Sequence, residues 1–445
     1  MRRNLDAVSI VIGILVVVVG VAVSIALHEV GHMWPAKKFG VRVSQYMIGF
    51  GPTIWSRTKG ETEYGFKAFP LGGFVRMVGM IPPAPEPAPG KSQPAARHGF
   101  FAQVVADARD HSVEEILPGE EPRAFYNLST PKKLVVMLGG PLMNLLLAVV
   151  LTATFFSIGF TQQTTTIAML SPCVPTATGE PCDPAIQAPA LAAGLREGDR
   201  ILSFDGVRTP TWAALLDALS GTAGRDVAVV VERDGERLNL TVNPIEATRA
   251  IVDVEGQPIR DEAGDIVTVT GAFLGLGPTV ARQSLPLSEL PNEVGRMFTG
   301  TAGAIVRFPV AVYDAVASTI SGEPRGTDGV MSVVGVGQTA ADVVALDTSI
   351  VDRVAILISL LASLNMALFV FNLVPLLPLD GGHVANALYE GAKRQTARAR
   401  RRPLPGPADV ARMMPVAYVM FVVLGISAVL LMIADVVNPI QVFGS

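Results

Sequence analysis

Charge is what this chain has least of: only 17% of its 445 residues are Asp, Glu, Lys or Arg, where ordinary soluble domains carry about 25%. With half of the residues hydrophobic, that shortage excludes a protein that lives wholly in water. Cysteine is almost absent as well. The only two, Cys173 and Cys182, have no histidine nearby, so they lack the partners of a zinc site and stand as a disulfide candidate. Lysine is missing altogether from 161 to 352, where acidic residues outnumber arginines about two to one. No nucleic-acid partner is expected.

What the chain does have is long apolar runs. Residues 8 to 27 hold no charge and, at about 20 residues, can cross a bilayer as a helix. Runs at about 134 to 160, 353 to 377 and 415 to 437 qualify too, so about four spans are expected. The first run follows Arg2 and Arg3 as a signal peptide would, but it exceeds a usual signal core and is read as permanent. Positive charge sets the orientation. The stretch 33 to 133 carries about 13 Lys and Arg and 391 to 412 about 7, which puts both in the cytoplasm and the Lys-free segment outside, with both termini outside as well.

At the end of the first run stands HEVGH. On a helix, residues four apart share a face, so His28 and His32 can reach one Zn²⁺ while Glu29, one step round, faces the water to be activated. Glu29 is placed to take that water's proton and return it to a leaving amine. Five residues with two free positions recur by chance, but three ionisable groups in one turn beside a span are hard to explain as packing. Of the other histidines, His98 and His111 lack ligand spacing and read as solvated.

Catalytic zinc usually takes three protein ligands. The third candidate is Asp380 in FNLVPLLPLDGGH, where Pro375, Pro378, Gly381 and Gly382 break the third span. His383 competes for that role, and otherwise serves as a supporting or helix-start residue.

The outside segment holds LAAGLREGDRILSFDG (191 to 206), a helix at 211 to 219, and alternating strands around Asp234-Gly235. Over about 165 to 245 it resembles a bacterial PDZ domain, with peptide binding at a sheet edge and size filtering both open as its role.

Together, HEVGH, GGPLMN (139 to 144), NLVPLLPLDGG (372 to 382) and an outward PDZ-like domain resemble the site-2 protease family of intramembrane zinc metalloproteases, most of all the bacterial regulator-of-sigma-E proteases, with one PDZ-like domain where some relatives hold two. The resemblance implies His28, His32 and Asp380 as zinc ligands, Glu29 as catalytic base, and Asn372 near the substrate backbone. It also implies a bacterial inner (cytoplasmic) membrane location. Its expected substrates are single-pass membrane proteins already trimmed outside, such as anti-sigma factors. In 65 to 80, Gly72 and Gly73 interrupt strand-like residues, a hairpin signal. In the family a similar loop dips into the bilayer and offers a strand edge to substrate, so Gly72 and Gly73 are candidate substrate-binding residues; a plain cytoplasmic hairpin is the alternative.

The expected fold is a polytopic α-helical membrane protein with about four transmembrane helices, a membrane-associated β-hairpin and one extracytoplasmic PDZ-like α+β domain. Its parts are a first helix with HEVGH (1 to 33) and a cytoplasmic segment (34 to 133) with the hairpin and a Pro-rich linker at 81 to 98. A second helix (134 to 160) leads to the PDZ-like domain (161 to 270). An amphipathic outer segment (271 to 352) follows, lying on the membrane or packing on the domain. The third helix with LDGG (353 to 383), a basic cytoplasmic loop (384 to 414) and a fourth helix (415 to 437) complete it. A PDZ-bearing scaffold or transporter with an inert HEVGH is the rival from another class, and a membrane zinc protease with a downstream Glu ligand is the rival among enzymes.

Overall fold

The computed structural model describes residues 2–83, 100–174, 187–250, 265–326, 329–346 and 348–440. The chain divides into two compact units, one comprising 1–158 with 285–445 and the other 159–284.

The first unit begins with α1 (Arg2–Lys38). Lys37 and Lys38 in its last turn complement the negative end of the helix dipole. An antiparallel pair follows, β1 (Val43–Lys59) and β2 (Thr62–Met77), joined by a tight turn at Gly60 with φ of 65°. The hairpin is thus longer than the expected 65 to 80, and its turn is not at Gly72-Gly73. Instead Gly72, at φ 107°, bends β2 in mid-course, so that Tyr46 and Met47 of β1 face Tyr64 and Gly65 on one flank and Val75 and Phe74 on the other. A side chain at that φ would be strained. Helix α2 (Phe100–Glu114) comes next; His98 and most of the Pro-rich linker lie outside the described residues.

Helix α3 (Thr130–Ile158) crosses α1 where backbones nearly touch. A Cβ on Gly31 would strike the Gly139 carbonyl, and one on Gly139 would strike that of Gly31. Ala36, Val41, Val43, Met77, Phe125, Val136 and Met137 form a buried cluster that ties the foot of the sheet to both helices.

The second unit holds β3 (Phe160–Leu170), the short α4 (Pro189–Ala192), β4 (Arg200–Phe204), β5 (Val207–Arg208), α5 (Trp212–Leu219), β6 (Val227–Arg233), β7 (Glu236–Val242), β8 (Ile245–Ala250), β9 (Thr268–Phe273) and β10 (Leu276–Gln283). Its main sheet runs β10-β3-β4-β6-β7, with β5 on β4, while β8 and β9 pair by themselves. Alternation places Val227, Val229 and Val231 against Phe204, Ile201 and Leu215 in one core. Thr211 caps α5 by accepting from the Ala214 amide at 3.2 Å. Asp234 and Gly235, at φ 53° and 85°, make the tight turn expected between β6 and β7. This β domain extends past 270 to include β10. Cys173 is disulfide-bonded; Cys182, its expected partner, lies outside the described residues.

The chain returns to the first unit through α6 (Leu290–Ser321), α7 (Val333–Ala345), α8 (Ile350–Asn372), α9 (Asp380–Ala399) and α10 (Met414–Val437). Among the described residues, five helices are long and apolar enough to cross a membrane, at 15–38, 130–158, 287–321, 350–372 and 410–437. The one beyond the expected four is 287–321, which its scattered charges had marked as amphipathic; as a single helix interrupted only by Pro309 it is long enough to span. The expected basic loop from 384 also differs. It is the helix α9 as far as Ala399, because Ala, Lys, Gln and Arg are strong helix formers and no proline intervenes before Pro403. Buried Lys133 of α3 donates to Glu390 of α9 at 2.8 Å, and Glu390 also accepts from the Ala408 amide at 3.0 Å.

Candidate metal centre

Three elements converge at one point. Helix α1 supplies His28, Glu29 and His32 toward its C-terminal end. Helix α8 stops at Asn372, and seven residues containing Pro375 and Pro378 carry the chain to Asp380 at the start of α9. Gly381 and Gly382 let α9 fold back on this break: a Cβ on either would meet the backbone of Leu373 and Val374 or of Leu376 and Leu377. The break thus turns a carboxylate toward α1.

The His28 and His32 Nε2 atoms lie 3.2 Å apart, and each is 3.2 Å from Asp380 Oδ2. Each Nδ1 turns toward α3: that of His32 is 2.8 Å from the Val136 carbonyl, and that of His28 is 3.0 Å from Asn144 Oδ1. Helix α3 can come so near because Gly140 has no side chain. A Cβ there would press on His32 and lie 2.8 Å from His28 Nε2. One turn above His28, Asn365 of α8 donates to Ser24 of α1 at 3.0 Å, fixing the two helices that carry the motif and the break.

Among the described residues, His28, His32 and Asp380 form the one group of His, Cys, Asp and Glu set to hold a metal. His383 stands in the first turn of α9 beside them but outside the triad. Three ligand atoms spaced 3.2 Å apart fit the corners of a tetrahedron whose centre lies about 2.0 Å from each, the bond length zinc takes to imidazole and carboxylate. Two imidazoles and one carboxylate, with the fourth corner open, is a catalytic rather than a structural donor set.

The triad opens on a cavity of about 740 Å³. Val17, Val21 and Ile25 of α1, Leu364 and Leu368 of α8, and Val333 and Val336 of α7 give it apolar walls, and Glu29, Asn144, Asn372, Gly72 and Gly73 also line it. Gly73 packs on α1, its position for a Cβ being 3.2 Å from Glu29 Cγ. Asn372 donates to the Leu368 carbonyl at 3.0 Å. No local motif gives a role to Asn144 or to the Ser24–Asn365 bond, although polar side chains inside apolar spans are a usable signal.

A family model described as peptidase family M50 matches residues 16–414. The chain belongs to this family, that of the site-2 proteases. Over 97% of its length it is 31% identical to "Zinc metalloprotease Rip1" of Mycobacterium tuberculosis, covering 99% of that protein. It is 24% identical to "Zinc metalloprotease RasP" of Shouchella clausii over 84% of this chain and 88% of the relative. With "Metalloprotease MmpA" of Caulobacter vibrioides it shares 26% identity over 87% of this chain and 90% of the relative. It is therefore a metalloprotease with zinc as its metal, and a multi-pass membrane protein.

Proposed function

We propose that His28, His32 and Asp380 hold the zinc, that Glu29 is the general base, and that the enzyme cuts the transmembrane segments of single-pass membrane proteins. The observation that carries this reading is that the triad and Glu29 line an apolar cavity walled largely by candidate membrane helices. Such a cavity suits an apolar chain and excludes a soluble peptide rich in charge. When bound, zinc acidifies water and polarises the scissile carbonyl. Glu29 accepts the proton that the attacking water loses and then delivers it to the leaving nitrogen, so the carboxylate is regenerated with each cut peptide bond.

A transmembrane helix must be unwound before its amide is exposed. The Gly72–Val75 stretch of β2, on the cavity wall, is suited to receive the unwound chain by strand addition, with Gly72 and Gly73 letting that stretch pack closely on Phe50, Ile25 and Glu29. Asn372 can hold the substrate backbone beside the triad. Residues 159–284 form a PDZ-like domain on the outer side, where a Lys-free and acidic composition belongs, and there they admit substrates already trimmed outside the membrane. Anti-sigma factors are substrates of this kind, and cutting them in a bacterial inner membrane releases a cytoplasmic fragment.

The test is reconstitution of the purified protein in liposomes with a single-pass substrate shortened on its outer side, followed by mass spectrometry of the products. New termini inside the apolar segment are expected. Cleavage confined to the flanking soluble residues would overturn the reading.

A further inference from the structure

Asn144 lies within an apolar helix, 1% exposed, at a depth where a polar side chain is costly unless it has a task. Its amide nitrogen is buried and has no hydrogen-bond partner. Its oxygen is its one engaged atom, 3.0 Å from His28 Nδ1. An amide oxygen can only accept, so Nδ1 carries the proton of that imidazole and Nε2 presents its lone pair to the centre of the triad. Val136, Gly140 and Asn144 recur every four residues along one face of α3. The first gives His32 the same constraint through a backbone carbonyl, and the second clears the space between.

Resting on the ligand assignment made above, we propose that Asn144 is a positioning residue that holds His28 in the tautomer and orientation required to bind zinc. Helix α3 thus sets both histidines without supplying a ligand, one through a backbone carbonyl that no substitution removes and one through a side chain that a substitution can. The acceptor carries the function, and the amide nitrogen, which bonds nothing, is dispensable to it.

Zinc affinity of the purified full-length protein, measured by competition with a chelator of known affinity, separates these ideas without reference to turnover. Asn144→Leu keeps the volume and removes the acceptor, so zinc binding should weaken about 10- to 100-fold, the usual effect of losing such a supporting bond. Asn144→Asp keeps an acceptor oxygen and breaks no bond of the amide nitrogen, so its affinity should stay within about threefold of the parent or rise. His28→Ala is the control on the ligand assignment. If His28→Ala loses zinc while Asn144→Leu binds as the parent does, the positioning role is wrong. It is equally wrong if Asn144→Asp loses as much as Asn144→Leu, since packing and not the acceptor would then matter. If His28→Ala itself keeps full zinc affinity, the ligand assignment has failed first.

Discussion

Adding one methyl group at Gly140 should disable the metal centre while leaving the helix intact. In Gly140→Ala the new Cβ would lie 2.7 Å from His32 Cδ2 and 2.8 Å from His28 Nε2, where ordinary contact begins at 3.4 Å. At least about 0.7 Å must be found, several times the roughly 0.2 Å within which metal–ligand distances hold. Retreat of α3 would part it from α1 at Gly31 and Gly139 and stretch the Nδ1 bonds to Val136 and Asn144. A misplacement on the scale of 1 Å costs about 100-fold in rate, or about 2.7 kcal/mol of transition-state stabilisation. Helix propensity, by contrast, favours alanine by about 1 kcal/mol, so a general loss of folding is not the expected result. Zinc stoichiometry, chelator competition and kcat/KM on a reconstituted substrate measure the effect. Gly300→Ala in α6, where a Cβ would meet nothing within 4 Å, is the control. Parent-like zinc affinity and turnover within about threefold in Gly140→Ala would refute the reasoning.

Three further outcomes follow from other parts of the molecule. Lys133→Met should lower stability by about 1–3 kcal/mol, less than the loss for a wholly uncompensated buried charge, because it takes the buried ammonium from Glu390 and leaves only Arg394, 3.1 Å away, as its cation; adding Glu390→Leu should restore most of that in thermal unfolding, and no recovery would show that the pair is not the cause. In the β domain, burial alone would raise the Asp199 carboxyl, but the Arg233 guanidinium and the Arg196 amide hold it below the usual range. Its contribution is therefore present above about pH 4 and lost as pH falls through the folded value, so Asp199→Asn should reduce hydrogen-exchange protection of 159–284 at pH 7 by about 2 kcal/mol and by less under acid, whereas a gap constant with pH would contradict this. For topology, a thiol reagent that cannot cross membranes should label a cysteine placed at Ser220 but not one placed at Ser92 in intact cells, and the reverse would invert the orientation.

The features most legible in the sequence were those carried by local spacing. HEVGH declares a helical face by its period, and the prolines and glycines of PLLPLDGG declare a break in a span, so the residues that meet at the triad carry local signals in the sequence. What escaped depends on contacts between distant segments. The Asn144–His28 bond joins residues 116 apart in the chain, and no pattern within α3 reveals where its face will land. The hairpin was misplaced because the outer half of β1 lacks alternation, being exposed from Phe50 to Lys59, while two adjacent glycines looked like a turn. Helix α9 was hidden by its arginines, which suggested a solvated loop although their helix propensity is high.

The most direct measurement is made on purified Glu29→Gln, with zinc content and turnover determined on the same sample. Removing the base but no ligand should leave about the parent's zinc while cutting the cleavage rate by about 100- to 10,000-fold, with Asp380→Ala losing both. Cleavage by a zinc-loaded Glu29→Gln at the parent's rate would contradict the role given to Glu29 and with it the chemistry assigned to the site.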